Sequence, residues 1–208
     1  MANIIICLER LIVDESLSFR LVESNGFRKF SKSLNQHFDG ISRRTLMREI
    51  IRDYQTGEDK IWKALNMHQG AFAITCDSWS SCVYCGYYVL TCHWITHSFE
   101  MQSCVLDFKY FPPPHTAIAT QELLIQCLKN WNIAHHVKAI MSDNASEMEP
   151  AINGLREYIN HQYNTKLEKD WHICCACHVI NRAASDAIKY INEDVAKLRN
   201  ILKTIQCI

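Results

Sequence analysis

The sequence lacks a net charge: 22 Lys and Arg residues balance 22 Asp and Glu residues, and the pI is near 7.1. A strong nucleic-acid binder usually carries a basic excess, so any basic surface here must be local. Arg43, Arg44, Arg48 and Arg52 form the one dense basic group, and on a helix they would share roughly one face. Long apolar runs are also missing, since no window approaches the roughly 18 uninterrupted residues of a membrane span. The amino terminus makes a poor secretory signal, because Glu9 and Arg10 interrupt the short run from Ile4 to Leu8 and no basic segment precedes it. No repeats and no low-complexity segments occur. Cysteine is plentiful, but eleven is an odd number at irregular spacing, which argues against a fully paired disulfide framework and for a reducing, intracellular setting.

What is present suits a globular chain, with 48% hydrophobic residues in 208, enough for one sizeable domain with an added helical lobe. Residues 1–69 read as the helical lobe and 70–208 as an α/β domain, the boundary falling near Asn66 to Gly70. In the lobe, Ile4, Leu8, Leu11 and Ile12 recur at helical spacing up to Asp14 and Glu15. Ser24-Asn25-Gly26 reads as a helix stop after Phe19, Leu21 and Val22, and Phe27, Phe30 and Leu34 mark a short helix. Ser42 is the expected N-cap of a long helix carrying Leu46, Ile50, Tyr54, Ile61 and Leu65 on one side, weakened at Gly57. The lobe reads as packing material before it reads as a DNA-facing shoulder.

Two stretches organise the rest. Ala71 to Cys76 is a short apolar and β-branched run that suits a central strand covered on both faces, and Asp77 falls where it runs out. Val137 to Met141 is a second such run and delivers Asp143, after which Asn144, Ala145 and Ser146 open a helix. If the two strands are parallel neighbours, their carboxylates lie side by side and call for a divalent cation between them. Metals held at such a site can activate a nucleophile and stabilise the leaving oxygen of a phosphodiester. The alternative for a lone Asp before Ser is a turn cap.

Between these runs, Tyr87 to Ile95 and Phe99 to Tyr110 read as antiparallel strands of a meander, and Thr116 to Trp131 as a helix. A helix from Ala145 to Tyr158, a loop from His161 to Asp170, and a brief strand turning into a helix near Cys177, broken around Asn192, complete the pattern. This β-β-β-α-β-α order, with acids after the first and fourth strands, is the layout of an RNase H-like domain with a mixed sheet flanked by helices. Cys82-x-x-Cys85 and Cys174, Cys175, Cys177 and His178 have zinc-like spacing, yet the two groups are far apart and buried cysteine behaves as a small hydrophobe, so zinc is not expected here.

Thr75-Cys-Asp77-Ser-Trp79-Ser-Ser, Ser142-Asp143-Asn144-Ala145-Ser-Glu-Met148 and Cys175-Ala-Cys-His178-Val-Ile-Asn181 resemble the three successive signatures of the hAT superfamily of transposases, and the chain also looks like transposase-derived proteins with BED zinc fingers. Ser18-Phe19-Arg-Leu-Val22-Glu23-Ser-Asn-Gly26-Phe27 is similar to the helical segment ahead of the nuclease fold. The resemblance implies a nuclear cut-and-paste transposase in which Asp77 and Asp143 hold Mg²⁺ or Mn²⁺, while Cys175 and His178 help to position DNA. Trp79 could stack on a base or pack beneath the site. The arginines Arg43 to Arg52 could meet phosphates, against the plainer reading of a solvated helix face.

In the family a Glu serves as third acid beyond a long helical insertion, followed by a dimerisation region. The chain ends at Ile208 before these, so the resemblance implies that it is incomplete at its C-terminal side and inactive alone. Glu147 and Asp186 are weak substitutes, since most helix acids face water. The runner-up expectation is a domesticated, non-catalytic DNA-binding or transcription-regulatory protein.

Overall fold

The computed structural model describes residues 2–80 and 86–206. Its residues divide into two compact units, Met1–Ala64 and Leu65–Ile208. The first unit holds α1 (Ala2–Asp14), a 3-10 turn (Phe19–Glu23), α2 (Asn25–Leu34) and most of α3 (Arg43–Met67). Helical spacing puts Leu8 and Ile12 on one face of α1, and with Val22, Phe38 and Leu46 they form this unit's core. Ser42 caps α3 through the hydrogen bond that its hydroxyl accepts from Thr45 N at 3.1 Å. Ser24 ends the 3-10 turn, as expected, its N–H donating to Leu21 O at 2.9 Å, and it also starts the next helix. Its side chain accepts a bond from Phe27 N at 3.3 Å and so starts α2, because a hydroxyl three residues ahead of a free amide is an N-cap whatever Asn and Gly follow. Gly57 does not break α3, and Tyr54 faces solvent instead of the buried side.

The second unit is built on one five-stranded sheet of order β3-β2-β1-β4-β5, with β1 (Phe72–Ser80), β2 (Gly86–Ile95), β3 (Met101–Tyr110), β4 (Val137–Ser142) and β5 (His172–Cys174). β1, β2 and β3 form the antiparallel meander, while β4 and β5 run parallel to β1. α4 (Ala117–Asn130) and α5 (Met148–Tyr163) follow β3 and β4, and α6 (Ala176–Gln206) follows β5. This is a mixed α/β sheet flanked by helices, consistent with an RNase H-like fold. Thr116 caps α4 through Ala119 N.

Strand alternation sorts the core. Phe72, Ile74 and Cys76 of β1, Tyr88, Leu90 and Cys92 of β2, and Ile140 and Ser142 of β4 are buried, as are Leu124, Cys127 and Leu128 of α4 and Met148, Ile152, Leu155 and Ile159 of α5. The intervening residues Ala73 and Asp77 are exposed, so β1 is not covered on both faces as its apolar run implied. Gly86 is required at the start of β2, where a Cβ would collide with the Phe111 carbonyl and the His115 ring. α5 runs past the expected loop start at His161 and ends where Asn164 takes a left-handed conformation. α6 continues through Asn192 without a break. Among the described residues no helix is long and apolar enough to cross a membrane.

Candidate metal centre

Register positions the two acids. The parallel pairing of β1 with β4 runs from Phe72↔Val137 to Cys76↔Ser142, and Asp77 and Asp143 are the next residue on each strand. β1 itself does not stop at Asp77. It continues to Ser80 along β2, with Asp77 opposite Val89, because the antiparallel ladder on that side persists after β4 has ended. β4 ends because the Asp143 carboxylate accepts a hydrogen bond from Ala145 N at 3.1 Å, turning the chain toward α5. β5 closes the edge: Cys174 pairs with Ser142, Cys175 N donates to Ser142 O at 2.8 Å, and α6 then starts at Ala176 with His178 in its first turn. Asp77, Asp143 and His178 each offer one ligand atom, and these atoms all lie within 4.8 Å of one another.

Charge explains how the group coexists. The hydrogen bond to Cys175 raises the His178 pKa above the ordinary imidazole range, and the carboxylates of Asp77 and Asp143 add to the shift. The same bond holds the Cys175 thiol below the usual range. The cationic form of the imidazole is therefore favoured beside two like charges. Two carboxylate oxygens and one imidazole nitrogen also suit a divalent metal, hard oxygen donors with one borderline nitrogen, and leave coordination positions open for water or substrate. The donor set fits such an ion.

Residues 75–171 match the family model of the ZBED1 RNase-like domain. The chain is 29% identical over 202 residues to the putative AC transposase of Zea mays, an alignment covering 96% of this chain and 25% of that protein. Over most of its length the chain is thus similar to AC transposases and zinc finger BED domain proteins of the hAT family. It is also 24% identical over 201 residues to zinc finger BED domain-containing protein RICESLEEPER 1 of Oryza sativa subsp. japonica, covering 96% of this chain and 28% of that one. The chain thus spans about a quarter of the length of these curated relatives. No solved structure matches it. The RNase H-like transposase family implies use of a divalent metal.

The remaining hAT signature residues fall around this group in different ways. Trp79, two residues beyond Asp77 and hence on the same face of β1, is 42% exposed and stacks on Tyr87 at 6.0 Å and 27°. Phe108 lies 5.7 Å from it, so Trp79 belongs to an aromatic cluster on the sheet face opposite α4 and α5. Glu147 lies outside the group: its carboxylate accepts from Ser146 Oγ at 3.1 Å, and it lines a cleft with Cys76, Tyr88 and Phe111 on the helix-covered face. Asp186 pairs with Lys189 at 2.7 Å in solvent on α6. Neither joins the two aspartates among the described residues. Arg43, Arg44, Arg48 and Arg52 are exposed on α3 in the first unit, and Arg52 pairs with Glu49 and Asp53.

Cys82 and Cys85 lie outside the described residues, while Cys174 and Cys177 are exposed thiols. No cysteine joins a metal-ligand group among the described residues. The Cys-x-x-His spacing of Cys175 and His178 pointed to a place beside the site, but not to an approach of His178 to both carboxylates. That approach depends on β5 pairing next to β4.

Proposed function

We propose that this chain is the metal-binding segment of a hAT-type DNA transposase or transposase-derived protein, whose chemistry is cleavage and transfer of DNA phosphodiesters. The reading rests on one observation, the convergence of Asp77, Asp143 and His178 at the edge of three adjacent parallel strands. Asp77 and Asp143 hold Mg²⁺ or Mn²⁺. When bound, the ion lowers the pKa of a water nucleophile and stabilises the leaving oxygen. Asp143 is pre-oriented, since its Oδ1 accepts from Ala145 N at 3.1 Å. His178, with its ring held by Cys175, donates to a phosphate oxygen and keeps the strand in register with the carboxylates. Trp79 supplies a ring face for a neighbouring base. Arg43, Arg44, Arg48 and Arg52 contact backbone phosphates, and the protein acts on DNA in the nucleus as part of an oligomer.

Calorimetric titration with Mn²⁺ tests the reading. Stoichiometric binding is expected for the native chain and should vanish in Asp77→Ala and in Asp143→Ala; equal binding by native and variant chains would remove the proposal. Nicking of supercoiled plasmid that disappears in both variants would add catalysis. Salt-dependent DNA binding without nicking would favour a domesticated regulator.

A further inference from the structure

Phe27, Phe30 and Leu34 recur at helical spacing along α2, yet no residue of this ten-residue helix is buried. A helix this short draws its stability from packing an apolar face, and here that face is left largely uncovered. Phe30 is 60% and Leu34 72% exposed. With Ile4, Leu8 and Leu11 of α1 they line an open groove of about 370 Å³ that no charged residue borders. Single exposed apolar side chains are ordinary, but a continuous apolar groove marks an interaction surface. The groove adjoins a second cleft of about 280 Å³, and the two share Phe27, Ser31 and Phe38. This cleft carries Arg28, Lys29 and Lys32 against a single acid, Asp39, which pairs with Lys32 at 3.9 Å. Arg28 and Lys29 are exposed and form no ion pair among the described residues.

We infer that the groove between α1 and α2 docks an acidic amphipathic helix of another protein. Apolar residues of that helix, spaced one turn apart, pack on Phe30 and Leu34, and its carboxylates meet Arg28 and Lys29. A second copy of this chain fits the charge poorly, because a two-fold pairing of the same face brings Arg28, Lys29 and Lys32 up against their own counterparts. Duplex DNA satisfies the cations alone, since phosphates and sugars offer the apolar groove nothing to bury. Every residue of this surface belongs to the first unit, so the inference does not rest on the metal centre.

Fluorescence polarisation tests this with the full chain and labelled synthetic helical peptides of about three turns. One peptide carries Leu along a single face and Glu around it, a second has Lys in place of Glu, and a third keeps Glu but has Gln in place of Leu. The first should bind about tenfold or more tightly than either of the others. Phe30→Glu and Leu34→Glu should each weaken it about tenfold or more with the circular dichroism spectrum unchanged, because both side chains are exposed in the native chain. Lys29→Glu should weaken the Glu peptide and strengthen the Lys peptide, a reversal that unfolding would not produce. Equal binding of the Glu and Lys peptides, or Glu-peptide binding that survives both groove variants, overturns the inference. Displacement of the Glu peptide by duplex DNA would assign the cations to phosphate and overturn it too. A dimer in sedimentation velocity that Phe30→Glu dissolves would give the groove to a second copy, with the same consequence.

Discussion

Asp143→Asn changes one atom of the candidate metal group and should act with opposite sign in the presence and absence of metal. The variant keeps the acceptor that holds Ala145 N at 3.1 Å, so the turn out of β4 is preserved. It removes one of two like charges. Two unit charges at the 4.8 Å limit repel by about 0.9 kcal/mol in water and about 3.5 kcal/mol at an effective dielectric of about 20. Asp77 is exposed, so the lower figure is the better guide, and the variant should gain about 1 kcal/mol in EDTA, a rise in Tm of roughly 2–4 °C. With Mn²⁺ at about a hundredfold excess over its Kd, the native chain should gain about 2.7 kcal/mol, and the variant close to nothing. Differential scanning calorimetry with and without Mn²⁺ reads both effects in one experiment. A variant that melts lower than native in EDTA and still rises with Mn²⁺ by the native amount would refute the reasoning.

Three further perturbations test the fold. Trp131→Phe removes the indole donor to Leu106 O (2.9 Å) in a buried setting and strands that carbonyl, so it should cost roughly 2 kcal/mol in urea unfolding; a loss under about 0.5 kcal/mol would contradict the role given to the bond. Glu9 is buried, and desolvation, followed by its charge and hydrogen-bond interactions with Asp53, raises its pKa above 4.5. A raised carboxyl pKa favours folding below the unfolded pKa and loses that contribution as pH rises through the folded value. Glu9→Gln should therefore raise Tm at pH 7 and lose this advantage near pH 4, and a gain independent of pH would count against it. Burial pushes the thiols of Cys76, Cys92 and Cys127 up to about 12, so mass mapping after iodoacetamide at pH 8 should find them unmodified until urea unfolds the chain, while exposed Cys7, Cys174 and Cys177 react.

Much of this fold was legible because its signals are local. The short apolar run at Val137, the aromatic and β-branched run from Tyr87 to Ile95 and the Thr116 hydroxyl ahead of an apolar helix each specify their element within a few residues. The misreadings are of the opposite kind. Asp77 reads as a strand terminus from its own neighbours, yet β1 continues because β2 supplies partners from Gly86 onward. Asn192 reads as a break, whereas the helical signals on either side of it belong to one uninterrupted helix. Ser24 carries both a stop and a start signal and fulfils both, ending the 3-10 turn through its own N–H and starting α2 through the bond from Phe27 N.

The sequence by itself determined the types of most elements and supplied two acids, each following a short apolar strand. Tertiary structure decided that those acids meet and that His178 joins them. Side-chain periodicity is written into consecutive residues, but the pairing of Cys76 with Ser142, and of Ser142 with Cys174, joins strands separated by helices and loops. A slip of one residue between β1 and β4 would turn one carboxylate to the opposite face of the sheet, because successive side chains alternate, and a slip between β4 and β5 would displace the start of α6 that carries His178.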